Sequence, residues 1–359
     1  MVYLLTAFLV SLTSALMLVR YKQLHSRYAA DGDLVGLRQH HVPPVPRVGG
    51  VALALAVLAS SVPLAFREPS VVAPLLSIWI CAMPAFLGGL AGDLSKKIPA
   101  KLRFAFIAVS SVLVYAVLNV HLTRLNILGV DWLLQFTAIS FVATLIVIGG
   151  AVSAINIIDG YNGLAAVVSV LIFAGFAYVA FFLGDRLLLV LSVSMIGAIC
   201  GFLIWSYPNG LIFLGSGGAY FIGYMVGVVA LLLLARHPNV SAWFPLLLCF
   251  YPAFEALYFI YRKACSRGRS LAPERVHLHM LIYKRIMRWA DVGPGERRSK
   301  TQHNTMVSPF LWVFSSLAGV PAVLFWRNEP VLIGCAALFA GAYMLLYRAL
   351  LRCRITPQK

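Results

Sequence analysis

Long apolar runs recur along this chain and restrict its fold more than any other feature. A run of about 18 apolar residues can cross a lipid bilayer as a helix. Of the 359 residues, 61% are apolar and 11% are charged, whereas soluble domains are about 50% apolar and about 25% charged. The sequence therefore predicts an all-α integral membrane protein that forms one polytopic domain over residues 1–359.

Eleven runs are predicted to be transmembrane helices. They are residues 1–19, 48–66, 71–91, 103–120, 132–153, 164–183, 187–206, 217–235, 241–261, 308–326 and 330–347. The first has no basic residue before it, unlike a secretory signal, so we expect it to be retained as a span.

The basic residues predict how these helices are oriented. Cytoplasmic loops retain Lys and Arg, and an N-terminus outside the cytoplasm places 24 of the 29 basic residues in inner loops. This topology predicts a cytoplasmic C-terminus and explains the net charge of +17. Because no soluble module presents these charges together, we expect no nucleic-acid partner.

The long polar loop 262–307 is predicted to be cytoplasmic. Five large apolar residues recur in it at helical spacing beside basic residues. They are Leu278, Leu281, Ile282, Ile286 and Trp289. This pattern predicts an amphipathic helix on the inner membrane surface.

Polar residues suited to chemistry gather on the predicted cytoplasmic face. Asp93 ends the third span, and Asn156 and Asp159 follow the fifth. His277 and His279 lie in the last long inner loop. Because spans separate these positions in the chain but return them to one face, we expect them to form one site.

These residue types suit a phosphorylated ligand. Mg²⁺, or Mn²⁺ in its place, needs only one or two carboxylates, because phosphate oxygens and water complete its shell. Asp93 and Asp159 are the only acidic residues of the short inner loops. The Gly-rich turn 215–218 offers backbone N–H groups to phosphate. Basic side chains that would balance the phosphate charges are Lys96, Lys97 and Arg275.

Each of these residues also has a purely structural interpretation. Asp93 beside lysines is commonly a surface ion pair, and a His-x-His pair is commonly solvated. Glu255 lies within the ninth span, where a carboxylate needs a partner or a wet cavity. The pattern leaves open whether Glu255 serves the site or helix packing.

Five stretches carry a more specific signal. Residues 43–50 read Pro-Pro-Val-Pro-Arg-Val-Gly-Gly, and residues 88–93 read Gly-Gly-Leu-Ala-Gly-Asp. Residues 156–164 read Asn-Ile-Ile-Asp-Gly-Tyr-Asn-Gly-Leu, 213–218 read Phe-Leu-Gly-Ser-Gly-Gly, and 277–279 read His-Leu-His. In this order, and over nearly the whole chain, they resemble the motifs of the polyprenyl-phosphate N-acetylhexosamine-1-phosphate transferase family.

The resemblance implies an enzyme of the bacterial inner (plasma) membrane with its site facing the cytoplasm. Such enzymes transfer a sugar-1-phosphate from a UDP-N-acetylhexosamine to undecaprenyl phosphate, with Mg²⁺ assisting and UMP leaving. They thereby start O-antigen or other cell-envelope polysaccharide synthesis.

The family's motifs also imply roles for individual residues. Asp93 would activate or position the lipid phosphate, Asp159 and Asn156 would bind the metal–pyrophosphate group or assist the phosphate directly, and His277 and His279 would contact the nucleotide or its phosphates. The implied metal ligands are Asp159, Asp93 and Ser216. The other implied substrate-binding residues are Lys96, Lys97, Asn162, Gly217, Gly218 and Arg275.

Three positions depart from the family pattern. Gly92 replaces the first aspartate of a pair, Ser216 replaces a metal-binding aspartate, and Asn162 replaces a second carboxylate. A serine can reach Mg²⁺ but brings no charge. We therefore expect weak or altered metal dependence, or an impaired enzyme with a binding or regulatory role.

A membrane transporter is the alternative of a different class. Secondary transporters place ionisable residues near mid-bilayer between repeated halves, whereas here they lie at the predicted inner edge and no repeat is visible. The sequence leaves open which amino sugar is transferred.

Overall fold

The computed structural model describes residues 1–21, 45–95, 98–127, 129–265, 277–290 and 300–352. These residues are all-helical, and ten helical stretches among them are long and apolar enough to cross a membrane. The all-α membrane class is confirmed, whereas the count of eleven spans and the orientation of the termini stay predictions.

Fifteen helices lie within the described residues. In chain order they are α1 (Val2–Arg20), α2 (Gly49–Ala59), α3 (Ser61–Arg67), α4 (Pro69–Leu94), α5 (Ala100–Leu118), α6 (Val130–Leu133), α7 (Thr137–Ile158), α8 (Leu164–Leu183), α9 (Arg186–Ser206), α10 (Gly215–Arg236), α11 (Trp243–Leu248), α12 (Phe250–Cys265), α13 (Leu278–Ala290), α14 (Lys300–Leu324) and α15 (Glu329–Arg352).

Helix α10 lies at the centre of the bundle and is buried along most of its length. It packs against α2, α4 and α7, and glycines let the backbones approach closely. A Cβ added to Gly50 would lie 2.3 Å from the amide nitrogen of Gly218, and one added to Gly223 would lie 2.5 Å from the Cα of Val152. This packing fixes the first turn of α10 against the neighbouring helices.

The far end of α10 is tied down by charged groups. The buried carboxylate of Asp185 pairs with Arg236 Nε at 3.1 Å and with His237 Nε2 at 2.9 Å. Arg124 donates hydrogen bonds to the carbonyl oxygens of His237 at 2.9 Å and Val240 at 2.8 Å. Arg124 also donates to the carbonyl oxygen of Leu234 at 3.4 Å, one of the last carbonyls of α10, which a helix end leaves without backbone partners.

The ninth predicted span is broken. Residues 241–261 were predicted as one helix, but α11 ends at Leu248 and α12 begins at Phe250, with a turn at Cys249. Pro252 has no N–H, so a continuous helix would lack its hydrogen bond to the carbonyl of Leu248. The hydropathy of the sequence does not indicate this break, because the residues around it are as apolar as those of an unbroken span.

The loop helix α13 rests on protein. Its residues Leu278, Leu281 and Ile282 are buried, and the helix packs against α14 and α15. The prediction that this apolar face lies on the membrane surface is therefore wrong for these three residues, because neighbouring helices already cover them.

Candidate active site

The loop 159–163 turns sharply between α7 and α8. Gly163 has a φ of +73°, and a Cβ there would lie 2.9 Å from a ring carbon of Tyr207. Both the backbone angle and the lack of space favour glycine. The turn leaves Asp159 at the end of α7, one helical turn after Asn156.

Helix α14 holds this loop from the side. The amide N–H of Asn162 donates to Asn304 Oδ1 at 3.0 Å, and the Ser308 hydroxyl donates to the carbonyl oxygen of Asn162 at 2.6 Å. The Asn162 side-chain amide donates to Thr305 Oγ1 at 3.4 Å, and Thr305 donates to the carbonyl oxygen of Pro208 at 2.6 Å. We call Asn304, Thr305 and Ser308 the α14 clamp.

Asp93 lies against the first turn of α10. Its Oδ2 accepts the N–H of Gly217 at 3.0 Å. A carboxylate at a helix N-terminus interacts favourably with the helix dipole. Asp93 therefore joins the end of α4 to the start of α10, and Arg47 lies near enough to interact with it electrostatically.

The segment 45–50 pairs with the chain that enters α10. Phe213 N–H donates to the carbonyl oxygen of Pro46 at 3.0 Å, and Gly49 N–H donates to that of Phe213 at 3.1 Å. The pairing places the Arg47 guanidinium 6.0 Å from the centre of the Phe213 ring. A cation is thereby held beside Asp93.

One polar cavity of about 50 Å³ collects five of the predicted site residues. The predicted site residues that line it are Asp93, Asn156, Asp159, Asn162 and Ser216. Arg47 and Asn304 line it as well. Both were absent from the predicted site. Arg47 had a signal, since it is the basic residue of the stretch 43–50, but nothing local in the sequence marks Asn304.

A second cavity of about 90 Å³ adjoins the same loop. It is lined by His277 and His279 together with Asn156, Gly160 and Tyr161. The Tyr161 and His279 rings lie 5.4 Å apart, edge to face. Burial raises the pKa of Tyr161, so its phenol stays protonated at neutral pH. Because Asn156 lines both cavities, the histidines and the two aspartates surround one region.

The remaining predicted residues are placed as follows. Lys96, Lys97 and Arg275 lie outside the described residues. Gly217 gives its N–H to Asp93, and Gly218 packs against Gly50, so phosphate binding by this turn stays a prediction.

The space beside Gly92 is filled by a cation. A Cβ added to Gly92 would lie 2.6 Å from Cδ of Arg103. The Arg103 side chain thus occupies the space that an aspartate side chain at position 92 would need.

The donor groups of the site determine which metal it could hold. Among the described residues, no group of three or more His, Cys, Asp or Glu side chains could hold a metal. The cavity does offer the hard oxygen ligands of Asp159 and Asn156, while Asp93 already accepts a hydrogen bond from Gly217. These donors fit a Mg²⁺ ion bound jointly with substrate phosphates, which complete its shell.

An apolar groove of about 590 Å³ runs along the outside of α7, α10 and α12. Gly150, Ala154, Leu257 and Ile260 are among its lining residues, and the side chains of Leu257 and Ile260 are largely exposed. Ala154 lies two residues before Asn156, so the groove passes close to the polar end of α7.

The fold and the site define a polytopic membrane protein with a polar cavity lined by two aspartates and an arginine. Residues 75–234 match the sequence model of glycosyl transferase family 4. The matched part is less than half of the chain, and together with the relatives described next it supports the resemblance to the polyprenyl-phosphate N-acetylhexosamine-1-phosphate transferase family.

Two relatives indicate the degree of similarity. The chain is 27% identical over 284 residues to a probable undecaprenyl-phosphate N-acetylglucosaminyl 1-phosphate transferase of Bacillus subtilis, covering 78% of this chain and 77% of the relative. It is 29% identical over 341 residues to a decaprenyl-phosphate N-acetylglucosaminephosphotransferase of Mycolicibacterium smegmatis, covering 86% of this chain and 80% of the relative.

Proposed function

We propose that this protein transfers an N-acetylated amino-sugar-1-phosphate from a UDP-sugar to undecaprenyl phosphate, releasing UMP. The reaction takes place at the cytoplasmic face of the bacterial inner membrane and starts O-antigen or related cell-envelope polysaccharide synthesis. The observation that carries the proposal is the single cavity lined by Asp93, Asn156 and Asp159, three residues of two family motifs, beside an apolar groove.

The reaction joins two anions. An oxygen of the lipid phosphate attacks the β-phosphorus of the donor, and the bond between that phosphorus and the bridging oxygen breaks, so the electron pair leaves with UMP. Groups that favour negative charge must therefore surround the phosphates. Arg47 supplies a positive charge at this position, and the N-terminus of α10 supplies the positive end of a helix dipole.

The carboxylates have separate tasks in this scheme. Asp159 and Asn156 would hold the pyrophosphate of the donor at the end of α7 through a bound Mg²⁺. Asp93, fixed by the N–H of Gly217, positions the lipid phosphate at the end of α4. A bound Mg²⁺ would neutralise phosphate charge and stabilise the leaving UMP.

The groove suits the polyprenyl chain of the acceptor. Its lining is almost entirely apolar, and it passes beside Ala154 and Ile155, which directly precede Asn156. A lipid lying there brings its phosphate to the polar cavity without leaving the apolar phase. In this arrangement the last turns of α7 line the groove, and the end of the same helix lines the polar cavity.

A phosphorus label in the donor tests the proposal. With ³²P in the β-phosphate of the UDP-sugar, purified protein and undecaprenyl phosphate are expected to move the label into the lipid phase and release unlabelled UMP. Label retained in UDP would mean transfer of the sugar alone. No label in lipid with any donor would reject the proposed reaction.

A further inference from the structure

A buried carboxylate lies behind the histidine side of the site. Glu255 on α12 is 0% exposed. Its Oε1 accepts hydrogen bonds from His277 Nδ1 at 3.0 Å and from the N–H of Leu278 at 2.9 Å. Its Oε2 accepts the hydroxyl of Tyr343 at 2.7 Å. An isolated buried charge is strongly unfavourable, and these donors compensate it.

The same contacts fix the His277 ring. A carboxylate only accepts hydrogen bonds, so Nδ1 carries the proton and Nε2 remains for another group. The ring also stacks on His279, with centres 5.1 Å apart and planes 7° apart, and on Phe259 at 4.7 Å. Rotation about the side chain would break the hydrogen bond and both stacks together.

The fixed ring belongs to the wall of the second cavity. His277 lines it with Asn156, Gly160 and Tyr161. Since Nδ1 is held by the buried Glu255, the opposite edge of the ring is the edge available to a ligand. The cavity shares Asn156 with the cavity of the aspartates, so a ligand there is close to the phosphates of the donor.

We propose that Glu255 is a positioning residue that acts through His277 on the nucleotide part of the donor. Together with Tyr343, it sets the tautomer and the orientation of the imidazole, so that Nε2 meets UMP in the site. This inference rests on the proposed function for the identity of the nucleotide. Glu255 itself touches no substrate.

The test measures UMP affinity by calorimetry on the purified full chain, together with UMP release. Glu255→Gln keeps the size of the side chain but removes the charge, and we expect it to weaken UMP binding about tenfold, the order found when the partner of a ligating imidazole is removed. We expect the same substitution to raise the KM of the UDP-sugar and to leave the KM of the lipid acceptor unchanged. In a His277→Ala background, Glu255→Gln has no further effect.

A matched pair of tyrosines separates positioning from general stability. Tyr343→Phe removes the hydroxyl that bonds Glu255, whereas Tyr224→Phe removes a buried hydroxyl that donates to the carbonyl oxygen of Ile78 at 3.2 Å, elsewhere in the bundle. We expect weaker UMP binding only in Tyr343→Phe.

The possible outcomes separate the inference from the proposed function. Unchanged UMP affinity in Glu255→Gln, or the same loss in both His277 backgrounds, would overturn it. Wild-type protein that binds UMP but does not transfer sugar phosphate would reject the proposed function, while the predicted loss in Glu255→Gln would still support the positioning role. Wild-type protein that does not bind UMP would overturn both.

Discussion

Removing the Ser308 hydroxyl from the α14 clamp tests how the loop 159–163 is held in place. Ser308 is fully buried, and its hydroxyl donates to the carbonyl oxygen of Asn162 at 2.6 Å. Ser308→Ala leaves that buried carbonyl without this donor. A buried group left unsatisfied costs about 1–3 kcal/mol.

The loop can recover a partner for the carbonyl only by shifting. Residue Asn162 lies three positions after Asp159, so a shift displaces the candidate catalytic carboxylate. At 1.36 kcal/mol for each factor of ten, a cost of about 1–3 kcal/mol corresponds to a fall of about 5- to 150-fold in kcat/KM. UMP release by purified protein, with donor and acceptor varied in turn, measures this fall.

A second serine on the same helix provides the control. Ser316 is exposed, and its hydroxyl donates to the carbonyl oxygen of Val313 in its own helix at 2.7 Å. We expect Ser316→Ala to keep kcat/KM within about twofold, since it leaves no buried group unsatisfied. The reasoning is refuted if Ser308→Ala retains wild-type kcat/KM, whether or not its Tm falls, because the clamp would then serve stability alone.

Three further substitutions test other parts of the site. Asp159→Asn should reduce UMP release by more than about 100-fold, because it removes a charge from the site. Its Tm should change little, because the charge lies in an open cavity rather than in the core. Turnover near the wild-type rate would contradict the role of Asp159. Ser216→Asp places a second carboxylate beside Asp93, so thermal scans should show a lower Tm without Mg²⁺ and a larger rise on adding Mg²⁺ than in the wild type; equal responses would exclude position 216 as a metal site. Gly150→Trp should raise the KM of undecaprenyl phosphate at least about fivefold, because it fills open space in the groove. Gly334→Trp on α15, where a side chain also meets open space, is the control and should leave this KM unchanged.

The coarse fold was readable from the sequence because membrane helices are long and apolar. The predicted spans 164–183 and 187–206 agree closely with Leu164–Leu183 and Arg186–Ser206. The break at Cys249 was missed, because the residues around it are as apolar as those of an unbroken span. Pro252 does not reveal the break either, because a proline near a helix start is compatible with both a broken and an unbroken span.

The gathering of Asp93, Asn156 and Asp159 was also predictable, since the topology places them on one face and family motifs mark them. Their hydrogen bonds were not predictable. The clamp residue Asn304 is 142 positions from Asn162, and no periodicity or local pattern links the two. Such contacts depend on how distant helices pack.

Glu255 illustrates what the sequence leaves undecided. Its position inside an apolar span demanded a partner or a wet cavity, and the structure supplies the partners, Tyr343 and His277. The choice between a site role and a packing role needed the location of His277, which the sequence alone does not give.

The mass of the lipid product tests the central claim most directly. Purified protein is incubated with undecaprenyl phosphate and a panel of UDP-amino sugars, and the lipid fraction is analysed by mass spectrometry. We predict one undecaprenyl-pyrophosphate-linked N-acetylated amino sugar, formed in equal amount with UMP and absent with Asp159→Asn. Folded protein that forms no lipid-linked sugar phosphate from any donor, or that forms it undiminished with Asp159→Asn, would contradict the account.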